Sequence, residues 1–322
     1  MSRFAIALGG LLVTALCGAA DAPLATGLTP VGAEQAGNAA GTIPPWTGGL
    51  SSPPASYVVG KHETNPFPDD KPLFQINASN AAQYADNLSP GQRALLERYP
   101  DTWYMNVYPT RRTAAFPDFV YDAIAANAGT ARVVLEGRGG VEGTRVSSPF
   151  PQPASGVEAV WNHNLRFRGL RVNRVDGSAA LTRRGRYTLV VSRQDWGFAY
   201  GLPYTTPFTQ RHPNVLFAVK SKVIEPSLLS GDGTLIFEMI NQTNDPRKSW
   251  RYPRALRRVL RNPFFGYEIP GGLSDGLRTV DDFGLYNGSP DRYEWTLQGK
   301  KELYIPYNAY SLHGPQVGHE DI

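Results

Sequence analysis

The pentapeptide Gly272-Leu273-Ser274-Asp275-Gly276 has the Gly-x-Ser-x-Gly spacing of a nucleophile elbow. Asp281, Asp282, His313 and His319 follow it in the chain order of an α/β-hydrolase triad. That chemistry needs a strand running into the serine and a helix running out of it. The hydroxyl is then exposed and the next N–H can bind an oxyanion. Here Pro270-Gly271 precedes the motif, and Leu277 to Leu285 carries no helical stripe. The motif reads as a glycine-rich loop. No catalytic residue is assigned, and a serine hydrolase using Ser274 stands as an alternative function.

Gly137-Arg138-Gly139-Gly140-Val141-Glu142-Gly143 follows an expected strand from Arg132 to Glu136. A phosphate cradle needs a helix next, whose N-terminal N–H groups meet the anion. Ser148-Pro149-Phe150-Pro151 stands there instead, so a flexible loop is expected. His62, His163, His212, His313 and His319 show no metal-ligand spacing, and His163 beside Trp161 reads as packing or solvated surface. Asp69-Asp70 and Asp281-Asp282 lack the spaced ligands of a calcium loop. Neither a metal nor a cofactor is expected.

Arg247, Lys248, Arg251, Arg254, Arg257, Arg258 and Arg261 form the densest basic run, with Trp250 and Tyr252 interleaved. Nucleic-acid binding combines such groups, but alternating arginines on strands are usually a solvated face, and an export signal argues against a nucleic-acid partner. Arg251, Arg254, Arg257 and Arg258 are read as a surface for lipid headgroups or a membrane protein.

Trp161, Phe167, Trp196, Phe217, Phe237, Trp250, Phe283 and Trp295 all fall on helical or strand faces. Each alone reads as ordinary core. Together they suit a single curved sheet capped by a few amphipathic helices, an arrangement that leaves an apolar cavity. Trp161, Phe217, Val219, Phe237, Met239 and Trp250 are the candidates to line it. Phe217, Val219, Phe237 and Met239 are expected on one concave face from their period-2 placement.

The elements that would position these residues follow from periodicity. Leu216 to Ile224 alternates apolar and basic residues as a half-buried strand does, Ser230-Gly231-Asp232-Gly233 turns, and Thr234 to Ile240 returns. Arg186 to Ser192, Tyr293 to Leu297 and Glu302 to Ile305 read as further strands, and Ser56 to Lys61 as a first one. Asp176-Gly177, Asn287-Gly288 and Gln298-Gly299-Lys300 read as turns.

Ser79 begins a short helix to Leu88. Ser89-Pro90-Gly91-Gln92 is a capping box opening a second, with Ala94, Leu95 and Tyr99 as its apolar stripe. This pair counts as one lid element. A helix from near Pro117 to Gly129 buries Phe119, Val120 and Ile124. Another from Ser155 places Val157, Val160, Trp161 and Leu165 on one face. Helices early and strands late give an α+β class.

Arg3, the apolar run Phe4 to Leu16, and small residues at 18–20 read as a secretory signal over residues 1–20. A lipid anchor at Cys17 is not expected, because Leu16 stands where lipoprotein signals use a small residue. Cys17 is the sole cysteine, which excludes disulfide scaffolds and thiol chemistry from the exported chain. Residues 21–56 read as an extended Gly/Pro-rich arm pinned by Trp46 and Tyr57, 57–310 as one domain, and 311–322 as a polar tail. With 322 residues, 41% of them hydrophobic, the chain can bury a large core. The net charge of +4 suits an anionic membrane surface. The polar tail after Ile305 closes no sheet, so missing C-terminal strands and an open edge are expected.

The Trp250-x-Tyr252-x-x-Ala255-Leu256-x-Arg258-Val259 stretch, set after a long hairpin, resembles the LolA/LolB-like superfamily of lipoprotein carriers. Within it the chain is more similar to the periplasmic domain-of-unknown-function family 1329. Leu28 to Glu34, Gly41 to Gly49, Asp281 to Gly288 and Lys301 to Asn308 support this. The resemblance implies a curved antiparallel half-barrel closed by helices over a hydrophobic cavity. It also implies a periplasmic location, a lipid-like ligand, and an envelope exporter or outer-membrane protein as partner. The function expected is a carrier or binding protein for a hydrophobic molecule. A structural accessory of an outer-membrane complex is the other alternative.

Overall fold

The computed structural model describes residues 26–203, 205–263, 266–313 and 317–318. The expected signal at 1–20, with Cys17, lies outside them, as does most of the tail.

Residues 26–56 form turns with one isolated bridge, Leu28 to Glu34. The Arg112 guanidinium collects the carbonyls of Glu34, Gln35, Ala36 and Pro44 at 2.5–3.3 Å. Trp46 Nε1 donates to Ala114 O at 2.9 Å. Ser56 to Lys61 is not a strand. The first strand, β1 (Phe74–Ile76), pairs antiparallel with β2 (Met105–Val107).

Between them come a 3-10 turn (Ala81–Asn87) and α1 (Pro90–Arg98). Ser89 and Gln92 form the expected capping box, with Pro90 opening the helix. Ser79 does not cap the 3-10 turn; its hydroxyl bonds Asn77. The predicted stripe of Ala94, Leu95 and Tyr99 is exposed, and Leu96 is the buried residue. Leu96 packs with Ile76 and Leu88, flanked by Phe74, Tyr84, Trp103 and Tyr304. Leu88 and Leu96, with Ala81 and Tyr84 against them, thus belong to a small core separate from that of the main sheet.

The next helix, α2 (Asp118–Thr130), buries Val120 and Ile124, while Phe119 is exposed and meets Phe167 edge-on. A small ladder follows, β3 (Arg132–Val133) with β4 (Val141–Glu142). Helix α3 (Gly156–Leu165) is capped by Ser155 Oγ, which accepts from Glu158 N. The Glu158 carboxylate reaches Ala154 N rather than Ser155 N, so the predicted box is half formed. Val160, Trp161 and Leu165 are buried, as expected.

The main sheet is a six-stranded antiparallel meander. It comprises β5 (Arg171–Ala179), β6 (Leu189–Gly197), β7 (Val215–Glu225), β8 (Gly233–Met239), β9 (Lys248–Tyr252) and β10 (Leu260–Arg261). Strands β5 and β10 are its edges, so the sheet is not closed into a barrel. A short α4 (Pro207–Arg211), capped by Thr206, precedes β7. The fold is therefore mixed helix and sheet.

Asp176-Gly177 lies inside β5. The turn instead spans Thr182 to Arg186, with Gly185 at φ 74°, a conformation glycine adopts readily. Tyr293 to Leu297 and Glu302 to Ile305 are not strands. Trp295 and Tyr304 are their partly buried members, while Tyr293, Leu297, Leu303 and Ile305 are exposed. The Trp295 backbone lies 2.5 Å from where a Cβ on Gly156 would stand, and Tyr304 N donates to Asn87 O at 3.0 Å.

Register sets the two faces, since directly paired residues share one. Val219 pairs with Trp196 and Ile236, and Phe217 with Glu238. Phe237 pairs with Ala218, and Met239 with Val215, on the other face. The expectation that Phe217, Val219, Phe237 and Met239 share one face is thus corrected. An irregularity between Val215 and Phe217 shifts the pairing locally, and period 2 alone cannot phase two strands against each other.

Candidate functional site

One face of the main sheet carries an apolar patch where β6 and β7 meet α3. Trp196, Phe217 and Val219 pack with Leu216, Tyr200, Ile240 and Val141, and α3 lays Trp161 and Leu165 across them. The rest of the cover comes from the segment 266–309, whose Tyr267, Phe283 and Asn287 reach this face while Tyr304 packs in the small core beside α1. Among its residues the regular structure is one 3-10 turn, Pro290–Arg292, and an isolated bridge from Pro270 to Thr279. Phe283 of this segment stacks on Trp196.

Its contacts with β5 and α3 include polar ones. Ser178 Oγ donates to Leu273 O at 3.1 Å and Asn164 Nδ2 to Gly288 O at 3.0 Å. His163 Nε2 faces the Gly284 and Tyr286 carbonyls at 3.0 and 3.1 Å. Where Leu216 meets Asn164, Arg168, Phe198 and Tyr200, a crevice of about 10 Å³ remains.

An ion pair is buried beneath the same cover. Glu238, 2% exposed, shares the Phe217 face and meets the Arg247 guanidinium. Gln242 Nε2, the Tyr267 hydroxyl and Asn287 Nδ2 also donate to the Glu238 carboxylate, at 2.8, 3.2 and 3.3 Å. Arg247 lies 4.2 Å from the Tyr267 ring centroid. Burial, then the adjacent Glu238 charge, pushes the Tyr267 phenol far above its ordinary range.

Other cations sit over aromatic rings. Arg168 lies 4.6 Å from the Phe198 centroid and 5.4 Å from that of Phe217, and burial lowers it to about 10. Arg174 lies 5.3 Å from Trp196 and 5.8 Å from Phe283. Burial and the Arg166 charge hold His163 below the usual histidine range. Reading the sequence missed Glu238, Tyr267 and Asn287, and took Arg247 for solvated surface. The available signal was a lone acidic residue amid the apolar run Leu235 to Met239.

Of the six cavity candidates, Trp161, Phe217 and Val219 come together. Phe237, Met239 and Trp250 lie across the sheet from them. Met239 packs with Ala199 and Val215, and Phe237 meets Trp250 edge-on at 5.9 Å. Arg251, Arg254, Arg257 and Arg258 are exposed around the β9–β10 connection.

Ser274 is 6% exposed, and its hydroxyl donates to Gly271 O at 2.7 Å and Arg278 O at 3.3 Å. Leu273, Asp275 and Gly276 all have positive φ, which makes the motif a tight turn with no helix leaving it. Asp281 and Asp282 accept from Thr279, and the His313 side chain and His319 lie outside the described residues. Gly137 approaches Val157 and Pro290, and Gly140 approaches the Ile240 backbone, so that loop is built for contact with α3 and β8. Asp70 pairs with Arg111 at 2.5 Å.

Among the described residues no group of three His, Cys, Asp or Glu side chains could hold a metal ion, and no helix is long and apolar enough to cross a membrane. A separate cleft of about 560 Å³ opens beside β1 and β2. Gln75, Asn77, Ser79, Asp101, Trp103 and Tyr104 line it, and no candidate residue does.

The family described as "Protein of unknown function (DUF1329)" matches over residues 75–322, which include α1, α3, the whole main sheet and the covering segment. The chain belongs to that family. DUF1329 similarity extends to "Uncharacterized protein PA3922" of Pseudomonas aeruginosa, 45% identical over 301 residues. That alignment covers 94% of this chain and 66% of the relative, so the chain spans just under two thirds of the relative's length. No solved structure matches the chain.

Proposed function

We propose that this DUF1329 protein is a periplasmic carrier or binding protein for a lipid or other hydrophobic molecule. One observation carries the reading. The apolar face holding Trp196, Phe217 and Val219 is covered by one helix and a long irregular segment, not by a second sheet or helical layer. Connections beyond about 12–15 residues without regular structure are uncommon in compact domains and are often lids. The segment 266–309 is held to the sheet by Phe283 on Trp196, by Tyr267 and Asn287 on the Glu238 carboxylate, and by single hydrogen bonds from Ser178 and Asn164.

Its displacement would expose an aromatic floor, on which an acyl or polycyclic group gains roughly 0.8 kcal/mol per buried methylene. The cover's return would expel the ligand. The open six-stranded sheet would then serve as the half-barrel of the LolA/LolB-like carriers. The partner expected is an envelope exporter or outer-membrane protein.

The test is mass spectrometry of organic extracts from the chain as its own cells process it, with uptake of a fluorescent fatty acid. A Ser178→Cys/Leu273→Cys pair, oxidised to pin the cover onto β5, should block uptake, and reduction should restore it. An extract without bound lipid, together with uptake indifferent to the pin, overturns the carrier reading.

A further inference from the structure

We propose that the hairpin joining β9 and β10 is a docking surface for a bilayer containing anionic phospholipid. Arg254, Arg257 and Arg258 occupy the connection, Arg251 and Arg261 flank it on the strands, and all five are exposed. None of the five makes an ion pair among the described residues. Between them stand two aliphatic side chains in water, Leu256 at 53% and Val259 at 64% exposure.

The backbone holds this arrangement in a defined turn. Arg254–Leu256 is a 3-10 turn closed by Arg257 in the left-handed region, whose N–H reaches Pro253 O and Arg254 O, each at 3.2 Å. Arg254 N donates to Asp232 Oδ1 at 2.8 Å, which ties the turn to the β7–β8 connection. Register places Arg251 and Arg261 on opposite faces of the sheet. The Arg254 guanidinium turns to the Ser227 and Ser230 carbonyls at 3.5 and 3.4 Å, so the turn itself presents Arg257 and Arg258 together with Leu256 and Val259.

The pairing of apolar and cationic groups selects the occupant. A single-stranded nucleic acid asks for several aromatic platforms along a basic groove; here Trp250 is engaged with Phe237, which leaves Tyr252, 39% exposed, as the one other aromatic of the basic run. Leu256 and Val259 would gain nothing from an acidic surface alone. A headgroup–acyl boundary takes both, with aliphatic tips entering the acyl region and guanidinium groups at the phosphates. Each arginine held near an anionic leaflet contributes about fivefold to binding. This inference is independent of the carrier reading, because the hairpin lies outside the cover.

The test is co-sedimentation of the processed chain with vesicles of phosphatidylcholine alone or mixed with phosphatidylglycerol. Wild type should bind the mixed vesicles and release from them as salt rises. R257E/R258E should weaken binding by at least about 25-fold, two arginines at fivefold each. L256S/V259S should weaken it while the salt dependence persists. R171E, on the opposite edge strand, should bind as wild type. Melting curves of all variants should match wild type. The proposal fails if wild type does not prefer anionic vesicles, or if R257E/R258E or L256S/V259S binds unchanged. It also fails if R171E weakens binding equally, or if polyuridylate binds the chain more tightly than the vesicles do.

Discussion

Phe283 lies flat against Trp196, ring centroids 5.3 Å apart and planes 11° from parallel. The pair joins an irregular segment to a sheet strand, and Arg174 lies over both rings. A stacked aromatic contributes burial plus about 0.5–1.5 kcal/mol of ring geometry. Phe283 is only half buried, so Phe283→Ala should cost about 1–2 kcal/mol, below the range for a fully buried phenylalanine. Leu277 and Leu285 of the same segment are 67% and 90% exposed. If the cover opens as a unit, the variant should be cut there by chymotrypsin much faster than its global unfolding allows. Urea unfolding beside a proteolysis time course separates the two. Cleavage that merely tracks global stability would show Phe283 to be ordinary core.

The Glu238–Arg247 pair should behave as a buried ion pair. Glu238→Gln leaves a cationic guanidinium without its charge partner under the cover, an expected loss of about 3–5 kcal/mol. Glu238→Leu with Arg247→Met removes both charges and should recover most of that loss, although the Tyr267 and Asn287 donors then lose their acceptor. Chemical denaturation of the single and double variants measures this. A double variant no more stable than the singles would mean that the Tyr267 and Asn287 bonds, and not the charges, hold the segment.

The sequence was legible where a local signal and a burial pattern agree. The Ser89 capping box, the helix bearing Trp161 and Leu165, and the β7–β8 hairpin around Gly231 all formed as read. Family membership was legible from dispersed motifs. What misled was periodicity without a partner. Tyr293 to Leu297 has strand composition, yet it lies against Gly156 as coil. Strand character is a fit to neighbours as much as an intrinsic preference. Phasing of β7 against β8 is set by the register that pairs Phe217 with Glu238 and Ala218 with Phe237, which no spacing rule reveals. The Glu238 site was hidden because Arg247 sits in a run of otherwise exposed arginines, and only the fold distinguishes it from them.

Ser274 sits in a turn that its own hydroxyl helps to close. Ser274→Ala should therefore cost stability and no chemistry. A net hydrogen bond is worth about 1 kcal/mol, so a shift of that order in the unfolding midpoint is expected. A fluorophosphonate probe should leave the wild-type chain unlabelled. Covalent labelling that disappears in Ser274→Ala would reverse this assignment and restore the hydrolase alternative.

Acid should loosen the cover through His163. Its Nε2 faces the Gly284 and Tyr286 carbonyls, and burial, followed by the Arg166 charge, depresses its folded pKa below the unfolded value of about 6.5. A depressed histidine binds fewer protons folded than unfolded. Stability from this group is therefore complete above pH about 6.5 and falls as pH drops toward the folded pKa, by at most about 1.4 kcal/mol per pH unit. Below the folded pKa the loss stops growing. His163→Gln keeps an N–H for the two carbonyls but cannot titrate, so its stability should slope less steeply across that window. Urea midpoints at a series of pH values, wild type against His163→Gln, measure the difference. Identical slopes would place the acid sensitivity elsewhere and remove His163 as the pH-sensitive tie between α3 and the cover.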